Sequence, residues 1–359
     1  MTETRKADHI RICLSQDVQA RRVTTGLEDV HLIHRALPEV ARDDVELQTT
    51  LLNHSLSAPL VIEAMTGGTS EAAQINAALA EAAEQLGLAM GVGSQRAALE
   101  TPALSYTYRV ARDRAPSAFL MANLGLAQIL EENWKDKVEK AIDMIEADAI
   151  CIHLNALQEA VQVGGNTNFV GAIERLREVA EFVSVPVIVK ETGAGISYEV
   201  AKALEKAKVA GIDISGAGGT SWAAVESHRQ QEIHLGLGHT FWDWGIPTAV
   251  STFEAASSTH LTIISSGGIR TGIDVAKTIA LGASAAGLAL PLLRPAVEGR
   301  LHEILQGLIE ELRTCMFLVG SRTVEDLKRS PLVITGLTAE WLRYRGFKVE
   351  EYARRGMYR

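Results

Sequence analysis

The chain has 359 residues, of which 47% are hydrophobic and 22% are charged, with 30 glycines and only 9 prolines. This composition is typical of a folded globular protein and excludes a disordered chain, a collagen-like repeat and a disulfide scaffold. The net charge of −9 excludes a global positive field for nucleic acid or anionic membranes, so any phosphate site must be built locally.

The three cysteines, Cys13, Cys151 and Cys315, are an odd number, lie far apart and form no CxxC pair. They indicate neither a disulfide framework nor a structural zinc site, and they fit a reducing compartment. The N-terminus lacks the apolar segment of a signal peptide, and no stretch approaches the roughly 18 apolar residues of a membrane span. We therefore expect a cytoplasmic protein.

From about residue 58 onward, short apolar runs alternate with helical patterns. Near-continuous apolar runs are typical of parallel strands that are buried on both faces. The helical pattern over 71–87 places Ile75 and Leu79 on one face, and Gly87 is a stop signal. The eight predicted strands cover 59–65, 87–93, 118–125, 149–155, 185–191, 211–216, 261–268 and 284–290. Eight strand–helix units predict a (β/α)8 TIM barrel of the α/β class, and a doubly wound open sheet is the alternative.

The segments outside these units do not read as independent domains. We predict a single domain, with an N-terminal arm over 1–57, the barrel over 58–318 and a C-terminal helical extension over 319–359. A long insertion over 216–245 follows the sixth predicted strand. Because barrel enzymes place their sites at strand C-termini, this insertion is expected to be functional. Its tryptophans, Trp222, Trp242 and Trp244, favour local packing over a ligand-binding wall.

Polar residues follow most of the predicted strands, where an apolar barrel would not need them. These positions predict a site at the barrel mouth, and helix capping is the structural alternative for them. The residues are Thr66, Ser94, Arg96, Asn123, His153, Asn155, Gln158, Glu159, Lys190 and Ser215.

The last two strands carry the more specific signal. Residues 265–272 read SSGGIRTG after the seventh strand, and Ala289 and Leu290 follow the eighth. Glycines there let backbone N–H groups approach a phosphate, and a helix N-terminus adds a favourable dipole. This pattern predicts a phosphorylated ligand without saying which one.

Three further features each have more than one reading. Lys190 could form a Schiff base, pair with Glu191 or sit beside the electron-rich edge of a flavin ring. Glu159 could hold Mg²⁺ together with substrate phosphates, or could be a solvated acid in the first turn of a helix. The basic arm that begins at Arg5 is either a solvated tail or a phosphate clamp over the mouth.

Taken together, these segments resemble the type 2 isopentenyl-diphosphate isomerase family. The resemblance covers nearly the whole chain, and several of its blocks are rarely combined outside that family. In order they are RKADHI (5–10), AMTGGT (64–69), GVGSQRAALE (91–100), ANLGLAQ (122–128), HLNALQE (153–159), GGNTNF (164–169), VKETGAGIS (189–197), DISGAGGTSW (213–222) and SSGGIRTG (265–272).

The resemblance implies a barrel that holds FMN, is reduced by NADPH or NADH and needs Mg²⁺. It implies redox-neutral interconversion of isopentenyl diphosphate and dimethylallyl diphosphate in isoprene biosynthesis, with reduced FMN as acid/base cofactor. It also implies a homo-oligomer, a tetramer or an octamer.

The resemblance assigns roles by motif. Gln158, His153, Asn155 and Lys190 are the implied catalytic residues, and Glu159 is the implied metal ligand. Arg5, Lys6, His9 and Arg96, with His153, Asn155 and Gln158, are implied to bind the diphosphate. The implied flavin contacts are Ala64, Met65, Thr66, Ser94, Asn123, Lys190, Ser215, Thr220, Gly268, Arg270, Ala289 and Leu290. Residues 163–168 depart from the family pattern, and we assign them no role.

Three rival functions are weaker. An FMN-dependent 2-hydroxy-acid oxidase or dehydrogenase needs a His and an Arg after its sixth strand, whereas residues 215–220 read SGAGGT. A nucleotide dehydrogenase needs a nucleophilic cysteine on a barrel-top loop, and the three cysteines lie in other segments. A non-catalytic flavin-binding protein would not need the basic arm and Glu159 together.

Overall fold

The computed structural model describes residues 2–229 and 235–356, and it describes side chains over 6–229 and 236–356. Twelve strands are found within these ranges. They are β1 (Val30–Leu32), β2 (Thr49–Leu51), β3 (His54–Leu56), β4 (Leu60–Ile62), β5 (Ala89–Gly91), β6 (Leu120–Gly125), β7 (Ala149–His153), β8 (Val187–Lys190), β9 (Gly211–Asp213), β10 (Thr262–Ser266), β11 (Ala285–Leu288) and β12 (Leu332–Ile334).

The helices of the same ranges follow the strands in the expected alternation. They are α1 (Thr2–Ser15), α2 (Ser70–Leu86), α3 (Arg96–Glu100), α4 (Tyr106–Arg114), α5 (Leu126–Ile129), α6 (Trp134–Ile145), α7 (Ala156–Val161), α8 (Ala172–Phe182), α9 (Tyr198–Lys206), α10 (Trp222–Arg229), α11 (Leu235–Thr240), α12 (Thr248–Ser258), α13 (Gly272–Leu281), α14 (Leu290–Glu298), α15 (Leu301–Leu318), α16 (Val324–Arg329), α17 (Gly336–Tyr344) and α18 (Glu350–Ala353). Three short 3-10 turns, Leu27–Asp29, Arg42–Asp44 and Pro102–Leu104, complete the set.

Strands β4 to β11 form a closed parallel barrel, so the (β/α)8 TIM-barrel prediction is confirmed. All eight predicted strands are present, each shorter than its apolar run. The predicted first helix is α2, and Gly87 ends it in the left-handed conformation with φ 62°, which glycine adopts without strain. The alternative of an open doubly wound sheet is therefore wrong.

The barrel interior is filled at its N-terminal end, which leaves the carboxyl end of the strands for chemistry. Alternate strand residues such as Val61, Cys151 and Ile264 form a buried inner cluster, and Leu51 and Leu56 of the β2–β3 hairpin pack against it. The residues between them along the strands, such as Leu60 and Ile62, face the surrounding helices.

The flanking segments meet each other and the barrel mouth. Strand β1 pairs antiparallel with β12, which joins the N-terminal arm to the C-terminal extension. The division of the chain at residues 57 and 318 stays a prediction. Helix α1 packs against α10 of the insertion through an apolar cluster that includes Ile12, Val225 and Trp242. Within the described ranges, no helix combines the length and apolar character needed to cross a bilayer.

Candidate active site

One cavity opens at the carboxyl ends of the barrel strands, and its wall includes residues that follow all eight of them. Every sequence candidate whose side chain is described lines this cavity. The candidates are Lys6, His9, Ala64, Met65, Thr66, Ser94, Arg96, Asn123, His153, Asn155, Gln158, Glu159, Lys190, Ser215, Thr220, Gly268, Arg270, Ala289 and Leu290. The side chain of Arg5 lies outside the part of the chain in which side chains are described. The structure thus places these residues together, and their individual roles stay predictions.

At the bottom of the cavity lies the barrel floor, a cluster of Glu63, Lys190, Asp213 and Ser266. Lys190 and Asp213 are register partners on β8 and β9, and Lys190 Nζ lies 2.7 Å from Asp213 Oδ2. The same Nζ lies 3.0 Å from Glu63 Oε2, one residue beyond β4. The Ser266 hydroxyl donates to the other Asp213 oxygen, Oδ1. All four residues are buried, so one cation is shared by two carboxyl groups away from water.

The sharing of the Lys190 ammonium by two carboxyl groups determines the charges of the barrel floor. Burial, and then the negative charge of Asp213, raise the pKa of Glu63 to about 8, although Lys190 opposes the shift. Burial lowers the pKa of Lys190, but the two carboxyl groups outweigh it and raise that pKa above its ordinary value. Near neutral pH the floor therefore holds the ammonium of Lys190 and a neutral carboxylic acid at Glu63.

The suggested pairing of Lys190 with Glu191 is wrong. Glu191 turns away and accepts hydrogen bonds from the backbone N–H groups of Thr192, Gly193 and Ala194. Burial raises its pKa to about 7, against the opposing effect of these hydrogen bonds. Glu191 therefore shapes the loop after β8, because it satisfies three successive backbone donors that the strand has left unpaired.

His153 is held as a neutral imidazole beside the floor. Asn123 Nδ2 donates to the carbonyl of Val92, so its Oδ1 is an acceptor, and it lies 2.8 Å from His153 Nδ1. This network assigns the imidazole proton to Nδ1 and leaves Nε2 as an acceptor. Burial, followed by the charges of Lys190 and Lys6, lowers the pKa of His153 to about 3. The ring is consequently a polar contact and not a cation at neutral pH.

At the top of the cavity lies the mouth cluster, which consists of His9, Gln158, Glu226 and Arg229. Glu226 of α10 has a fully buried side chain, and its Oε1 lies 3.0 Å from both His9 Nε2 and Gln158 Nε2. Arg229, one turn along α10, donates to Oε2. Burial works against ionisation, but these partners lower the pKa of Glu226 below its ordinary value. The N-terminal arm is thereby attached to α7 and to the insertion.

Lys6 provides a second attachment of α1 to the barrel. Its Nζ donates to the Ser94 carbonyl and to the Tyr108 hydroxyl, which lies 2.7 Å away. The Tyr108 hydroxyl in turn donates to the same Ser94 carbonyl. The arm therefore covers the mouth as a helix, so the reading of a solvated tail is wrong. Arg96 follows Ser94 by two residues and pairs with Glu100 while it lines the cavity.

Glu159 lies in the first turn of α7 and is half-buried at the mouth. Asn155 Nδ2 donates to its Oε1 at 2.8 Å, and the backbone N–H of Asn166 donates to its Oε2 at 2.6 Å. Gln162 also donates to Oε2. In the part of the chain that is described, no group of three or more acidic, His or Cys residues could hold a metal. A lone carboxylate of this kind suits Mg²⁺ that takes its other ligands from phosphate and water.

Glycines after β9 and β10 bring two loops into backbone contact beside the cavity. A β-carbon on Gly219 would lie 2.2 Å from the Gly268 nitrogen, and one on Gly267 would lie 2.2 Å from the Gly216 oxygen. Only glycine allows this approach. The N-terminus of α14 lies at the cavity, whereas the first N–H groups of α13 already donate to Asp274 and Glu311, and the guanidinium of Arg270 contacts Gln19 nearby. Exposed N–H groups, helix dipoles and a guanidinium are the parts of a phosphate site.

Several residues in or beside the cavity were not predicted as site residues from the sequence. Glu63 and Asp213 did leave a signal, because each is a single acid at the end of an otherwise apolar strand run. Glu226 left none, since it lies in a polar insertion. Trp222 packs against the apolar cluster of Trp242, as expected, but it also lines the cavity and packs edge-on against the His9 ring at 5.1 Å. Cys13 also reaches the cavity, but burial raises its pKa to about 11, which leaves a neutral thiol.

Comparison with known proteins decides the family. The family model for FMN-dependent dehydrogenases matches residues 2–103 and 107–334. Isopentenyl-diphosphate delta-isomerase from Methanothermobacter thermautotrophicus is 49% identical over 357 residues, which cover 99% of this chain and 100% of that protein. The chain belongs to the FMN-dependent, type 2 isopentenyl-diphosphate isomerase family. A second relative, isopentenyl-diphosphate delta-isomerase from Pyrococcus abyssi, is 49% identical over 352 residues and covers 95% of each chain.

Solved structures with the same fold are more distant from this type 2 isomerase chain. A (putative) lactate oxidase from Pediococcus acidilactici superposes with a TM-score of 0.67 at 20% identity, covering 89% of this chain and 88% of the other. Flavocytochrome b2 superposes with a TM-score of 0.68 at 18% identity, covering 95% and 88% of the two chains. At these identities the likeness establishes the barrel fold alone.

Proposed function

We propose that this chain interconverts isopentenyl diphosphate and dimethylallyl diphosphate without net redox change, as a step of isoprene biosynthesis. The observation that carries the proposal is one cavity with two chemically different ends. A buried ammonium lies at the bottom with glycine-rich loops beside it, and cationic side chains with the carboxylates of Glu159 and Glu226 lie at the mouth. That division suits a flavin below and a diphosphate with its metal above.

The residues at the bottom of the cavity fit FMN. The loops around Gly219 and Gly268 and the N-terminus of α14 would hold its phosphate, and Lys190 would face the ring. When bound and reduced, FMN would supply an acid and base for proton transfer to and from the alkene carbon. The cationic Lys190 would stabilise negative charge on the reduced ring. Ala64, Met65, Thr66, Ser94, Asn123, Ser215, Thr220, Arg270, Ala289 and Leu290 complete the proposed flavin contacts.

The mouth of the cavity fits a diphosphate. Lys6, His9 and Arg96 would contact its oxygens, together with Arg5 by family resemblance, and Glu159 would hold Mg²⁺ that bridges to it. His153 and Asn155 lie beside them. Because His153 is neutral and holds its proton on Nδ1, its Nε2 accepts a hydrogen bond rather than supplying charge. Gln158 is the proposed proton relay on the face opposite the flavin.

The substrate is an unactivated alkene, so its protonation produces a tertiary carbocation-like species that water would capture. Helix α1 covers the mouth through the contacts of Lys6 with Ser94 and of His9 with Glu226, and this cover would exclude water during turnover. Oxidation of a 2-hydroxy acid is the alternative reaction. The turn over 215–220 has no His or Arg to act as base and carboxylate anchor, so the residues favour the isomerase.

Four accompanying properties belong to the same proposal. We propose that NADPH reduces the flavin, that Mg²⁺ is required, that the protein is a homo-oligomer, a tetramer or an octamer, and that it is cytoplasmic. The family resemblance supports the first three. The cysteine content supports the last.

The decisive experiment is an anaerobic assay of isopentenyl diphosphate with the protein, FMN, Mg²⁺ and NADPH. The formation of dimethylallyl diphosphate is followed together with the consumption of NADPH. We expect many product molecules for each NADPH consumed, because a redox-neutral reaction needs the reductant only to prime the flavin. A protein that binds and reduces FMN but forms no product would favour an oxidoreductase instead.

A further inference from the structure

Glu63 is a buried titratable group for which the proposed chemistry has no use. It follows β4 directly, lines the cavity and has a side chain that is 5% exposed. Its Oε2 contacts Lys190, but no residue in the described part of the chain gives Oε1 a hydrogen-bond partner. A buried carboxyl oxygen without a partner costs free energy, so its presence beside a ligand cavity calls for an explanation.

Strand β11, which pairs with β4, leaves space for the carboxyl group of Glu63. A β-carbon at Gly287 on β11 would lie 2.0 Å from Glu63 Oε1, so any other residue there would displace the side chain. Strands β4 and β11 are paired, and Gly287 lines the same cavity. Gly287 therefore leaves room for the carboxyl group of Glu63 at the cavity wall, where its contact with Lys190 holds Oε2.

Asp213, rather than Glu63, is the anionic partner of Lys190. Both Asp213 oxygens receive donors, since Oδ2 accepts from Lys190 and Oδ1 accepts from Ser266. Glu63 shares Lys190 and faces the negative charge of Asp213, and its protonated form is favoured by a hydrogen bond to that residue. If both carboxyl groups were ionised, the floor would carry a net negative charge, and a reduced flavin would add another beside it.

We propose that Glu63 is a positioning residue of the flavin site: it is protonated whenever the flavin is reduced, taking up a proton on reduction where it was ionised before, and it thereby leaves Lys190 with one carboxylate and its charge available to the reduced ring. This inference rests on the proposed function insofar as FMN occupies the cavity. The raised pKa of Glu63, about 8, supports it, because the group then titrates within the working range of pH.

The reduction of the flavin balances in electrons and protons. Reduction of bound FMN to its anionic reduced form takes up two electrons and one proton, which an external donor such as an electrode and the solvent supply. Where Glu63 is ionised beforehand, a second proton binds to its carboxylate, and no bond to carbon forms or breaks. The charged or titratable groups that face Glu63 are Lys190 from β8, Asp213 from β9 and Cys151 from β7, whose pKa burial raises.

The test is the pH dependence of the midpoint potential of the bound flavin, measured on the FMN-loaded full chain between about pH 6 and about pH 9. In the wild type we expect the slope of the midpoint potential against pH to double over the pH range in which Glu63 is ionised before reduction. There the reduction takes up two protons per two electrons instead of one. In Glu63→Gln the single-proton slope should persist throughout. Identical slopes in the two proteins would overturn the inference.

A matched control is Glu254→Gln, which removes another buried carboxyl group at a distance from the cavity, where it pairs with Arg345. This variant should keep the wild-type doubling, whereas a general effect of altered packing would change both variants alike. If Glu63→Gln retains FMN less tightly but its slope matches that of the wild type, Glu63 has a purely structural role. That result would count against the proposal.

If Glu63→Gln does not fold, the wild type alone still decides. A reduced-minus-oxidised infrared difference spectrum should gain a protonated-carboxyl band at high pH and show no such gain at low pH. Absence of the band at high pH refutes the inference. The isomerase assay is run separately. Product formation with unchanged slopes rejects only this inference, and changed slopes without product reject only the proposed reaction.

Discussion

Two glutamates are buried beside the same cavity, and their surroundings drive their charges in opposite directions. On the barrel floor, Glu63 shares the single ammonium of Lys190 with Asp213, and its pKa is raised to about 8. In the mouth cluster, the side chain of Glu226 is fully buried, yet its pKa is lowered. Burial raises the pKa of both glutamates, so burial alone does not decide the outcome.

The difference lies in the number of donors for each carboxyl group. His9, Gln158 and Arg229 all approach Glu226, and two of them can carry positive charge. Charge-assisted hydrogen bonds of this kind offset desolvation and keep the carboxylate ionised. Two regions of one cavity therefore hold different charge. We expect changes on the barrel floor to alter the flavin, and changes at the mouth to alter diphosphate and metal binding.

The largest expected effect comes from removal of the arm. Deletion of residues 1–11 removes Lys6, His9 and Arg5, so we expect affinity for the diphosphate to fall by roughly 100-fold or more, at about 1.5–3 kcal/mol for each charge-assisted contact. Bound FMN should remain, because the contacts of the barrel floor come from barrel strands. Binding of isopentenyl diphosphate and the flavin content are both measured. Arg11→Ala, at an exposed position of the same helix, is the control and should bind normally.

The next effect concerns the proposed metal ligand. Glu159→Gln keeps the shape of the side chain but removes its charge, so at limiting Mg²⁺ we expect turnover to fall about 100-fold, with partial recovery at high Mg²⁺. The flavin spectrum should not change. Activity is titrated against Mg²⁺ in this variant and in Glu174→Gln, an exposed glutamate on α8. If both variants show the wild-type dependence on Mg²⁺, Glu159 is not a ligand.

A substitution on the barrel floor should alter the flavin rather than diphosphate or metal binding. Lys190→Ala removes the only cation of the barrel floor, so FMN affinity should fall by roughly 10- to 100-fold, or the flavin should become harder to reduce. FMN dissociation and the midpoint potential are measured, with Lys202→Ala, a partly exposed lysine on α9, as the control. A normal affinity and a normal potential together would contradict the division between floor and mouth.

The effect with the least bearing on binding and turnover is on the pH dependence of stability in the FMN-free protein. The pKa of Glu63 is raised from 4.5 when unfolded to about 8, so its contribution is fully present below about pH 4.5 and is lost as the pH rises through 8. The loss is on the order of a few kcal/mol. Thermal unfolding between about pH 5 and about pH 9 should show it in the wild type and not in Glu63→Gln. Parallel curves for the two proteins would mean that Glu63 is ionised.

Much of the barrel can be predicted from local pattern. The run 118–125 and strand β6 (Leu120–Gly125) nearly coincide, and Gly87 ends α2 as expected. The run 87–93 is instead a strand only over Ala89–Gly91: Val92 still donates to Met121 of β6, but Gly93 donates to Thr66 and lines the cavity. Apolar character persists there since the loop is buried by other loops. Strand ends were therefore the least predictable feature of the fold.

The sequence by itself determined the eight strand–helix units, the family and most of the candidate residues of the cavity, because each was found in a short motif or at the end of a predicted strand. Tertiary structure alone decided which carboxyl groups are charged. Glu226 is 217 residues from His9 and 68 from Gln158, and Lys190 is 23 from Asp213. A pKa depends on burial and on groups within a few ångströms. Those distances exist only once the barrel has closed and α1 has covered it.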